Sequence, residues 1–331
     1  MQQDSVDPGV GKFSNQKRIG VVVPCFNEED NVDEVYSLIK EVLEGQPDID
    51  FNILFIDNAS TDRTLEKLIN ISANDHRVRI IENVRNFGHI RSPYYGVLQM
   101  ADHDAVILLA ADLQDPPSLI PEFIKKWKEG YKVVMGVKVH SQETPIFYLI
   151  RTIYYRLLQA VSEIKLVEHA TGFGLYDQQV ISTIKSLNDP YPYFRGLVAE
   201  LGYPAATIAY DQPKRRRGIT KNNFYTLYDI AMLGFTNHSK LPLRIAALSG
   251  FVTAIISFLV GLMYLVYKLI KWDSFSLGLA PVIIGLFFVG SVQLLFLGIV
   301  GEYIGAIYTQ VLKRPLVVEK ERINFPQNYS L

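Results

Sequence analysis

The pattern with the clearest chemical potential is AADLQDPP at residues 110–117, which directly follows an apolar run. In an extended segment the side chains of Asp112 and Gln114 point to the same side. A carboxylate and an amide oxygen are hard ligands that Mg²⁺ or Mn²⁺ accepts, and such an ion stabilises the charge of a departing diphosphate. The pattern predicts Asp112 and Gln114 as metal ligands and Asp112 and Asp115 as catalytic carboxylates. Asp115 has the alternative of capping a helix that starts at the two prolines.

Polar residues also follow two apolar runs that lie nearer the N-terminus. After Pro24, which is expected to stop a strand, the segment PCFNEE at residues 24–29 could contact a base or ribose, or cap a helix beginning near Asp30. In RNFGH at residues 85–89, Arg85 suits a diphosphate. A solvated turn arginine explains the same spacing equally well.

A third polar cluster, DNASTD, occupies residues 57–62. An acid at the carboxyl end of a strand can accept hydrogen bonds from a ribose or a uracil, so Asp57 is a candidate ligand for a nucleotide. Ser60 or Thr61 could cap the helix that follows. Part of this cluster is therefore expected to be structural.

The elements that would position these residues alternate in type between residues 18 and 136. This βαβα alternation predicts an α/β fold with a mostly parallel sheet and helices on both faces, in which ligands bind at the carboxyl ends of the strands. The predicted strands are residues 19–23, 51–56, 78–81, 105–109 and 131–135. The predicted helices are residues 30–43, 61–72, 91–100 and 118–128, with further amphipathic helices at 144–162 and 223–233 and a loop at 189–196.

Two long uncharged apolar runs, at residues 245–269 and 277–300, dominate the last third of the chain. About 20 apolar residues cross the hydrocarbon core of a bilayer, so each run is long enough to span it. The alternative is a pair of buried core helices. The short loop at 271–276 predicts a hairpin, and more Lys and Arg lie outside it than in its loop. The positive-inside rule then places the globular part and both termini in the cytoplasm, which predicts an integral protein of the inner membrane.

Composition restricts the function further. The 331 residues carry a formal net charge of -1, which gives no general case for nucleic-acid binding. One cysteine, Cys25, excludes an intramolecular disulfide framework and a cysteine-rich zinc site. The predicted organisation is a disordered tail (1–16), a catalytic domain (17–215), a basic loop with juxtamembrane helices (216–243), a transmembrane hairpin (244–312) and a cytoplasmic tail (313–331).

The strand-end motifs, in this order and spacing, resemble those of the inverting GT-A glycosyltransferases of family 2. More narrowly they resemble polyprenyl-phosphate glycosyltransferases related to dolichyl-phosphate mannose synthase. TGFGLYD at 171–177, PYFRG at 192–196 and GEYIG at 301–305 carry the same resemblance. The hairpin is similar to that of the bacterial bactoprenol glucosyltransferase branch.

The resemblance implies a GT-A, Rossmann-like fold and inverting transfer of a sugar, with UDP-glucose as the favoured donor, to a polyprenyl phosphate. The second acid of the family's metal motif falls on Asp112 and the following glutamine on Gln114, whereas Ala110 occupies the position of the first acid. The positions that match the family's nucleotide pocket are Pro24, Asn27, Glu28 and Asp57.

The acceptor of such an enzyme is a lipid phosphate that is largely anionic near neutral pH, so it needs alignment and charge compensation more than deprotonation. This fits the absence of a clear acid beside Gly172 and Phe173, where the family commonly has one. A basic segment is predicted to supply this charge compensation. The same segment could instead anchor the chain on anionic lipid. Its members are Arg215, Arg216, Arg217 and Lys221.

Other functions fit part of the pattern. Because Ala110 lacks a ligand, a non-catalytic membrane scaffold with a degenerate transferase domain is one alternative. Transfer of mannose or an N-acetylhexosamine is another. A processive synthase would need more transmembrane helices and a QxxRW element, which the sequence lacks. Membrane lipid is an expected partner, and two helices per chain are compatible with a homo-oligomer.

Overall fold

The structure is a computed structural model that describes residues 16–139, 170–213, 232, 241–270 and 279–326. Its strands are β1 (Lys17–Cys25), β2 (Ile49–Asp57), β3 (Val78–Asn83), β4 (Ala105–Leu108), β5 (Val133–Lys138), β6 (Ala170–Asp177), β7 (Ala205–Tyr210) and β8 (Glu319–Ile323). Its helices are α1 (Val32–Glu44), α2 (Thr64–Asn74), α3 (Gly88–Gln99), α4 (Ile120–Lys128), α5 (Gln178–Leu187), α6 (Phe194–Glu200), α7 (Leu241–Ile270) and α8 (Leu279–Leu312), with a 3₁₀ turn at Pro117–Leu119.

All eight described strands form one sheet in the order β7-β5-β6-β4-β1-β2-β3-β8. The strands β4, β1, β2 and β3 are parallel neighbours, as are β5 and β7. Two strands run antiparallel: β6 between β4 and β5, and β8 beside β3. The predicted α/β fold with a mostly parallel sheet is therefore confirmed.

The central strands are continuously apolar because the sheet is buried on both faces. Along β2, Ile53 and Phe55 belong to one buried layer, and Leu54 and Ile56 belong to the other. The first layer is completed by side chains of α1, α2 and α4, and the second by those of α3, α5 and α6. Helices therefore cover both faces, and the strand ends are held in a rigid frame.

Several elements were not predicted, for identifiable reasons. The strand β6 contains two glycines, and glycine in a strand marks close approach of another backbone. A Cβ on Gly174 would collide with the carbonyl oxygen of Val134 on β5. The helix α6 begins at Phe194, so the end of the segment predicted as a loop is helical. The helix predicted at 144–162, and that at 223–233 apart from Met232, lie outside the described residues.

The strand β8 was also missed, because its sequence EKERI is charged and follows the hairpin. It is an edge strand, and sheet edges tolerate charged residues. Its pairing with β3 adds residues 319–323 to the main sheet, within the segment predicted to be a tail. The chain therefore returns to the globular part after α8.

The two C-terminal helices contain the candidate membrane spans Leu241–Met263 and Phe288–Leu312, with mean hydropathies of 2.3 and 1.5. Only 6% of the first span and 0% of the second are buried. These helices therefore do not form the core of a water-soluble domain, which was the alternative. The second helix continues past the uncharged apolar run, which ends at residue 300, and finishes at Leu312, where the predicted hairpin ends.

Candidate active site

The loops after β1 and β2 are fastened to each other by hydrogen bonds. The amide of Asn27, a residue with a positive φ of 56°, donates to Oγ of Ser60 at 2.9 Å. Oδ1 of Asn27 accepts from the amide of Thr61 at 2.8 Å. The amide of Glu28 donates to Oγ1 of Thr64 at 2.8 Å. Two of the predicted nucleotide contacts, Asn27 and Glu28, therefore lie in one paired loop structure beside Asp57.

The capping alternatives for these loops are not observed. The helix α1 begins at Val32 with no side-chain cap at its preceding residue. The helix α2 begins only at Thr64, too far along the chain for Ser60 or Thr61 to be its N-cap. The expectation that Pro24 stops the first strand is wrong by one residue, because Pro24 pairs in register with β2 and the strand ends at Cys25.

The Asp57 carboxyl group lies at the carboxyl end of β2 and is only 1% exposed. Its Oδ2 accepts from the amide of Ser60 at 3.0 Å. Its Oδ1 is buried and has no hydrogen-bond partner in the described part of the chain. Burial raises the pKa of Asp57 above its ordinary value, against the lowering effect of hydrogen bonds from Ser60. A buried acceptor without a donor at a strand end is the site where a ligand N–H or O–H would fit.

An asparagine network, which the sequence did not reveal, positions the loop after β3. Oδ1 of Asn58 accepts from Nδ2 of Asn83 at 3.1 Å and from the amide of Phe87 at 2.9 Å. Nδ2 of Asn58 donates to Oδ1 of Asn86 at 2.9 Å, and the amide of Gly88 donates to that same oxygen at 2.7 Å. Gly88 has a φ of +84°, which favours glycine, at the start of α3. The sequence does contain a signal for this network, because Asn58 directly follows β2 and Asn83 ends the neighbouring strand β3.

Arg85 projects from this loop and is exposed. Its guanidinium lies 4.0 Å from the ring centroid of Phe87, and its Nη1 donates to the carbonyl of Asn86 at 3.1 Å. No acid pairs with Arg85 in the described ranges. Its charge is therefore free to meet an anionic ligand at the mouth of the site.

The metal-ligand prediction used the wrong local geometry. The strand β4 ends at Leu108, so Asp112 and Gln114 lie in a turn and the alternation of an extended strand does not apply to them. Leu113, with a φ of 59°, lies between them, and Oδ1 of Asp112 accepts from the amide of Gln114 at 3.1 Å. The two residues are therefore held close together by this turn and not by an extended strand, and both remain partly exposed.

Asp115 is more deeply buried than Asp112 in the same loop, and its predicted catalytic role stays a prediction. Its Oδ2 accepts from the amide of Ala110 at 3.2 Å, and its Oδ1 accepts from the hydroxyl of Tyr210 at 3.0 Å. Burial, with a smaller contribution from the charge of Asp112 nearby, raises its pKa to about 6. The 3₁₀ turn that follows has no side-chain cap, so the capping alternative is not observed. Asp115 instead ties the loop to β7 from inside the protein.

The oxygens that remain accessible fit a divalent ion shared with a substrate. Among the described residues there is no group of three or more His, Cys, Asp or Glu side chains that could hold a metal alone. Asp112 and Gln114 offer two hard oxygens, and Ala110 offers no side-chain ligand. Mg²⁺ is commonly bound by one or two carboxylates together with phosphate oxygens and water. The donor set therefore fits an ion that is held jointly by the protein and a diphosphate.

A cleft of about 230 Å³ lies at the ends of β4 and β6. His89 and Arg195 line it, together with Leu108 and Gly172, and neither His89 nor Arg195 was singled out from the sequence. The sequence signals that could have identified them are the motif RNFGH, which contains His89, and the motif PYFRG, which contains Arg195. Nη1 of Arg195 donates to the carbonyl of Ala170 at 2.7 Å, which anchors this side chain to β6.

The described part of β6 offers no general base near the cleft. Gly172 stands beside Phe173 with a φ of +95°, and a Cβ there would meet nothing within 4 Å. The acid of this strand is Asp177 at its far end, where it caps α5 and accepts from Trp127 at 2.7 Å. The predicted acceptor-phosphate residues lie outside the described residues: Arg215, Arg216, Arg217 and Lys221.

Proteins of known sequence are similar over nearly the whole chain. The glycosyltransferase YkcC of Bacillus subtilis is 36% identical over 92% of this chain and 94% of its own. The SfII prophage-derived bactoprenol glucosyl transferase of Shigella flexneri is 33% identical over 92% of this chain and 98% of its own. A solved structure of S. aureus TarS 1–349 in complex with UDP-GlcNAc covers 67% of each chain, with 15% identity and a TM-score of 0.39.

Two family models match separate parts of the chain. One, described as glycosyl transferase family 2, matches residues 20–184, which contain the four strand-end motifs. The other, described as the GtrB C-terminal hairpin, matches residues 241–307, which contain the two apolar helices. The chain therefore belongs to glycosyl transferase family 2, and it is a glycosyltransferase with a C-terminal hairpin of the GtrB type.

Proposed function

We propose that this glycosyltransferase moves glucose from UDP-glucose to a polyprenyl phosphate at the cytoplasmic face of the membrane. The observation that carries the proposal is the buried, unpartnered Oδ1 of Asp57 at the carboxyl end of a central strand. The N3–H of uracil is a donor of the kind that this oxygen lacks. The similarity to a bactoprenol glucosyl transferase supports the choice of glucose and of a polyprenyl phosphate.

Each cluster of the site has a role in this proposal. Asp57 accepts from uracil, and the paired loops that contain Pro24, Asn27 and Glu28 form the rest of the base and ribose pocket. Arg85 contacts the diphosphate. Asp112 and Gln114 hold Mg²⁺ or Mn²⁺, which when bound neutralises charge on the diphosphate.

The reaction is a single in-line displacement. An oxygen of the acceptor phosphate attacks the anomeric carbon of glucose, the bond from that carbon to the UDP oxygen breaks, and the configuration inverts. The acceptor phosphate is already anionic, so proximity and charge compensation replace a general base. Charge compensation is assigned to the basic segment, namely Arg215, Arg216, Arg217 and Lys221.

The hairpin keeps the enzyme beside an acceptor that cannot leave the bilayer. Its exposed apolar helices span the inner membrane in this proposal, with the catalytic domain and both termini in the cytoplasm. The chain returns from α8 to β8, which pairs with β3, and this supports placing the catalytic domain and the C-terminus on the same side of the membrane. Association of hairpins into a homo-oligomer is compatible with their exposed surfaces.

The test is transfer of radiolabelled sugar into an organic-extractable lipid by the purified full-length chain with polyprenyl phosphate and Mg²⁺ or Mn²⁺. UDP-glucose, UDP-N-acetylglucosamine and GDP-mannose are compared as donors. Label in the lipid fraction with UDP-glucose supports the proposal. Transfer from a different donor alone would replace glucose by that sugar, and no transfer to polyprenyl phosphate with any donor would overturn the proposed acceptor.

A further inference from the structure

A second cleft, of about 470 Å³, lies where the hairpin rejoins the catalytic domain. One wall is the segment that follows α8, and the other is formed by α3 and the loop after α5. None of the residues that line it belongs to the strand-end motifs assigned to the donor. The lining includes Tyr95, Asp189, Lys313, Arg314, Leu316 and Glu319.

The acids of this cleft are matched by donors within the protein. Glu319 accepts from the hydroxyl of Tyr95 at 2.8 Å and from Nε of Arg322 at 2.6 Å. Asp189 accepts from Nε2 of Gln310, on α8, at 2.9 Å. The charge of Glu319 is therefore balanced by Arg322, whereas Asp189 keeps its negative charge because Gln310 is neutral.

The cations of the cleft have no such partners. Lys313 and Arg314 are exposed, and neither makes an ion pair or a side-chain hydrogen bond in the described part of the chain. Lys313 directly follows the last residue of α8 with a positive φ of 46°, and Pro315 prevents the helix from continuing. The carboxyl end of a helix carries about half a unit of negative charge. Against this half unit and the charge of Asp189, the two unpaired cations leave the cleft a small net positive charge, which suits an anion.

The position of these cations along α8 identifies the source of the anion. The last turns of the helix expose apolar side chains: Ile307 and Tyr308 are 61% and 62% exposed, and Val311 is 69% exposed. The candidate membrane span ends at Leu312, so the two cations follow it directly. Basic residues at the cytoplasmic end of a span lie at the depth of lipid headgroups.

We propose that this cleft binds the phosphate headgroup of an anionic phospholipid, with Lys313 and Arg314 as its charged contacts. This inference rests on the membrane placement in the proposed function, but it does not depend on sugar transfer. Glu319 both lines the cleft and begins β8, which pairs with β3. A bound headgroup therefore holds the segment that connects α8 to β8, and with it the edge of the catalytic sheet, at the membrane surface.

The test measures which lipid the full-length chain retains. The protein is placed in nanodiscs of phosphatidylcholine mixed with phosphatidylglycerol, extracted gently, and analysed for bound lipid by native mass spectrometry. The wild type is expected to enrich phosphatidylglycerol. The double variant Lys313→Gln/Arg314→Gln is expected to retain it roughly 30-fold less, the loss expected for two basic groups at a charged surface.

A matched control removes two exposed lysines from α4, in Lys125→Gln/Lys128→Gln, and should keep the enrichment. The inactive variant Asp112→Ala should also keep it, so a failure of the proposed transferase function is distinguishable from a failure of this inference. Unchanged enrichment in Lys313→Gln/Arg314→Gln would overturn the proposal. Displacement of the lipid by soluble glycerol phosphate would reassign the cleft to a free phosphate, and displacement by polyprenyl phosphate would reassign it to the acceptor.

Discussion

The hydroxyl of Tyr210 donates a hydrogen bond of 3.0 Å to Oδ1 of Asp115, across 95 positions of sequence. This bond joins β7 to the loop after β4, and the other carboxyl oxygen of Asp115 accepts from the amide of Ala110. The loop that presents Asp112 and Gln114 is therefore fixed from its buried side. Orientation of these two oxygens depends on a strand far away in the sequence.

The variant Tyr210→Phe tests this dependence. It leaves Oδ1 of Asp115 buried without its donor, which costs about 1–3 kcal/mol. We expect a lower thermal midpoint in detergent and a lower kcat, because the loop loses its anchor. Tyr203→Phe is the control, since the Tyr203 hydroxyl contacts only Thr183 among the hydrogen bonds of the described residues. An unchanged kcat in Tyr210→Phe would show that the bond does not position the loop.

The same pair of residues shows what the sequence could and could not predict. The apolar runs and their spacing were enough for the parallel core of the sheet, because burial on both faces leaves a continuous apolar signal. The role of Asp115 was not predictable, because its partner comes from a strand that pairs only through the tertiary fold. Asn58 and Asn83 were missed although both lie at the ends of predicted strands, because their side-chain bond forms only when β2 and β3 pair side by side.

Local sequence rules also failed where tertiary pairing overrides them. The charged segment EKERI has no apolar alternation, yet it forms β8 because β3 offers an open edge and Glu82 accepts from Lys320 at 2.6 Å. The turn at Asp112 was misjudged because Leu113 takes a positive φ that its residue type does not indicate. The motif's position was predicted correctly, and its backbone conformation was not.

The variant Asp57→Ala is expected to weaken UDP binding roughly 10- to 100-fold, the range for losing a hydrogen bond to a charged group. Isothermal titration calorimetry of the full-length enzyme with UDP measures this directly. The control is Asp33→Ala on the exposed face of α1, where the carboxylate pairs with Lys67. Equal UDP affinity in wild type and Asp57→Ala would contradict the assignment of Asp57 to the base.

The raised pKa of Asp57 makes a prediction about pH. A carboxyl group whose pKa is higher in the folded state stabilises the fold below its unfolded pKa, and this stabilisation is lost as the pH rises through the folded pKa. The thermal midpoint of the wild type, relative to Asp57→Asn, should therefore fall as the pH rises from the ordinary aspartate range and then level off. A difference that stays constant over this range would contradict the shift.

A base bound at Asp57 should change this pH dependence. Its N–H satisfies Oδ1 of the ionised form, so binding should lower the pKa of Asp57 and stabilise the protein more as the pH rises. Uridine is the suitable ligand, because it has no phosphate that titrates in the same range. The measurement is the uridine-induced rise in thermal midpoint across pH. A rise that is independent of pH would place the base away from Asp57.

The variant Asn58→Asp tests the network that holds the RNFGH loop. It replaces the donor group Nδ2 by an oxygen, which then faces Oδ1 of Asn86 without a hydrogen between them. We expect the KM for the donor sugar nucleotide to rise about tenfold while kcat changes little, because the loop that carries Arg85 is loosened. Asn70→Asp on the exposed surface of α2 is the control. A fall in kcat with an unchanged KM would assign the network to the chemical step instead.

The variant Asp112→Ala tests the metal assignment with two separate readouts. Ala110 supplies no ligand, so Asp112 is the one carboxylate assigned to the ion, and its loss should abolish turnover. Membrane insertion should stay intact, because the hairpin does not contact this loop in the proposed arrangement. Mn²⁺ binding in the presence of UDP, followed by electron paramagnetic resonance, should weaken at least tenfold. The conservative variant Asp112→Glu should recover part of the Mn²⁺ affinity. Near-normal turnover in Asp112→Ala would mean that the diphosphate is stabilised by other groups.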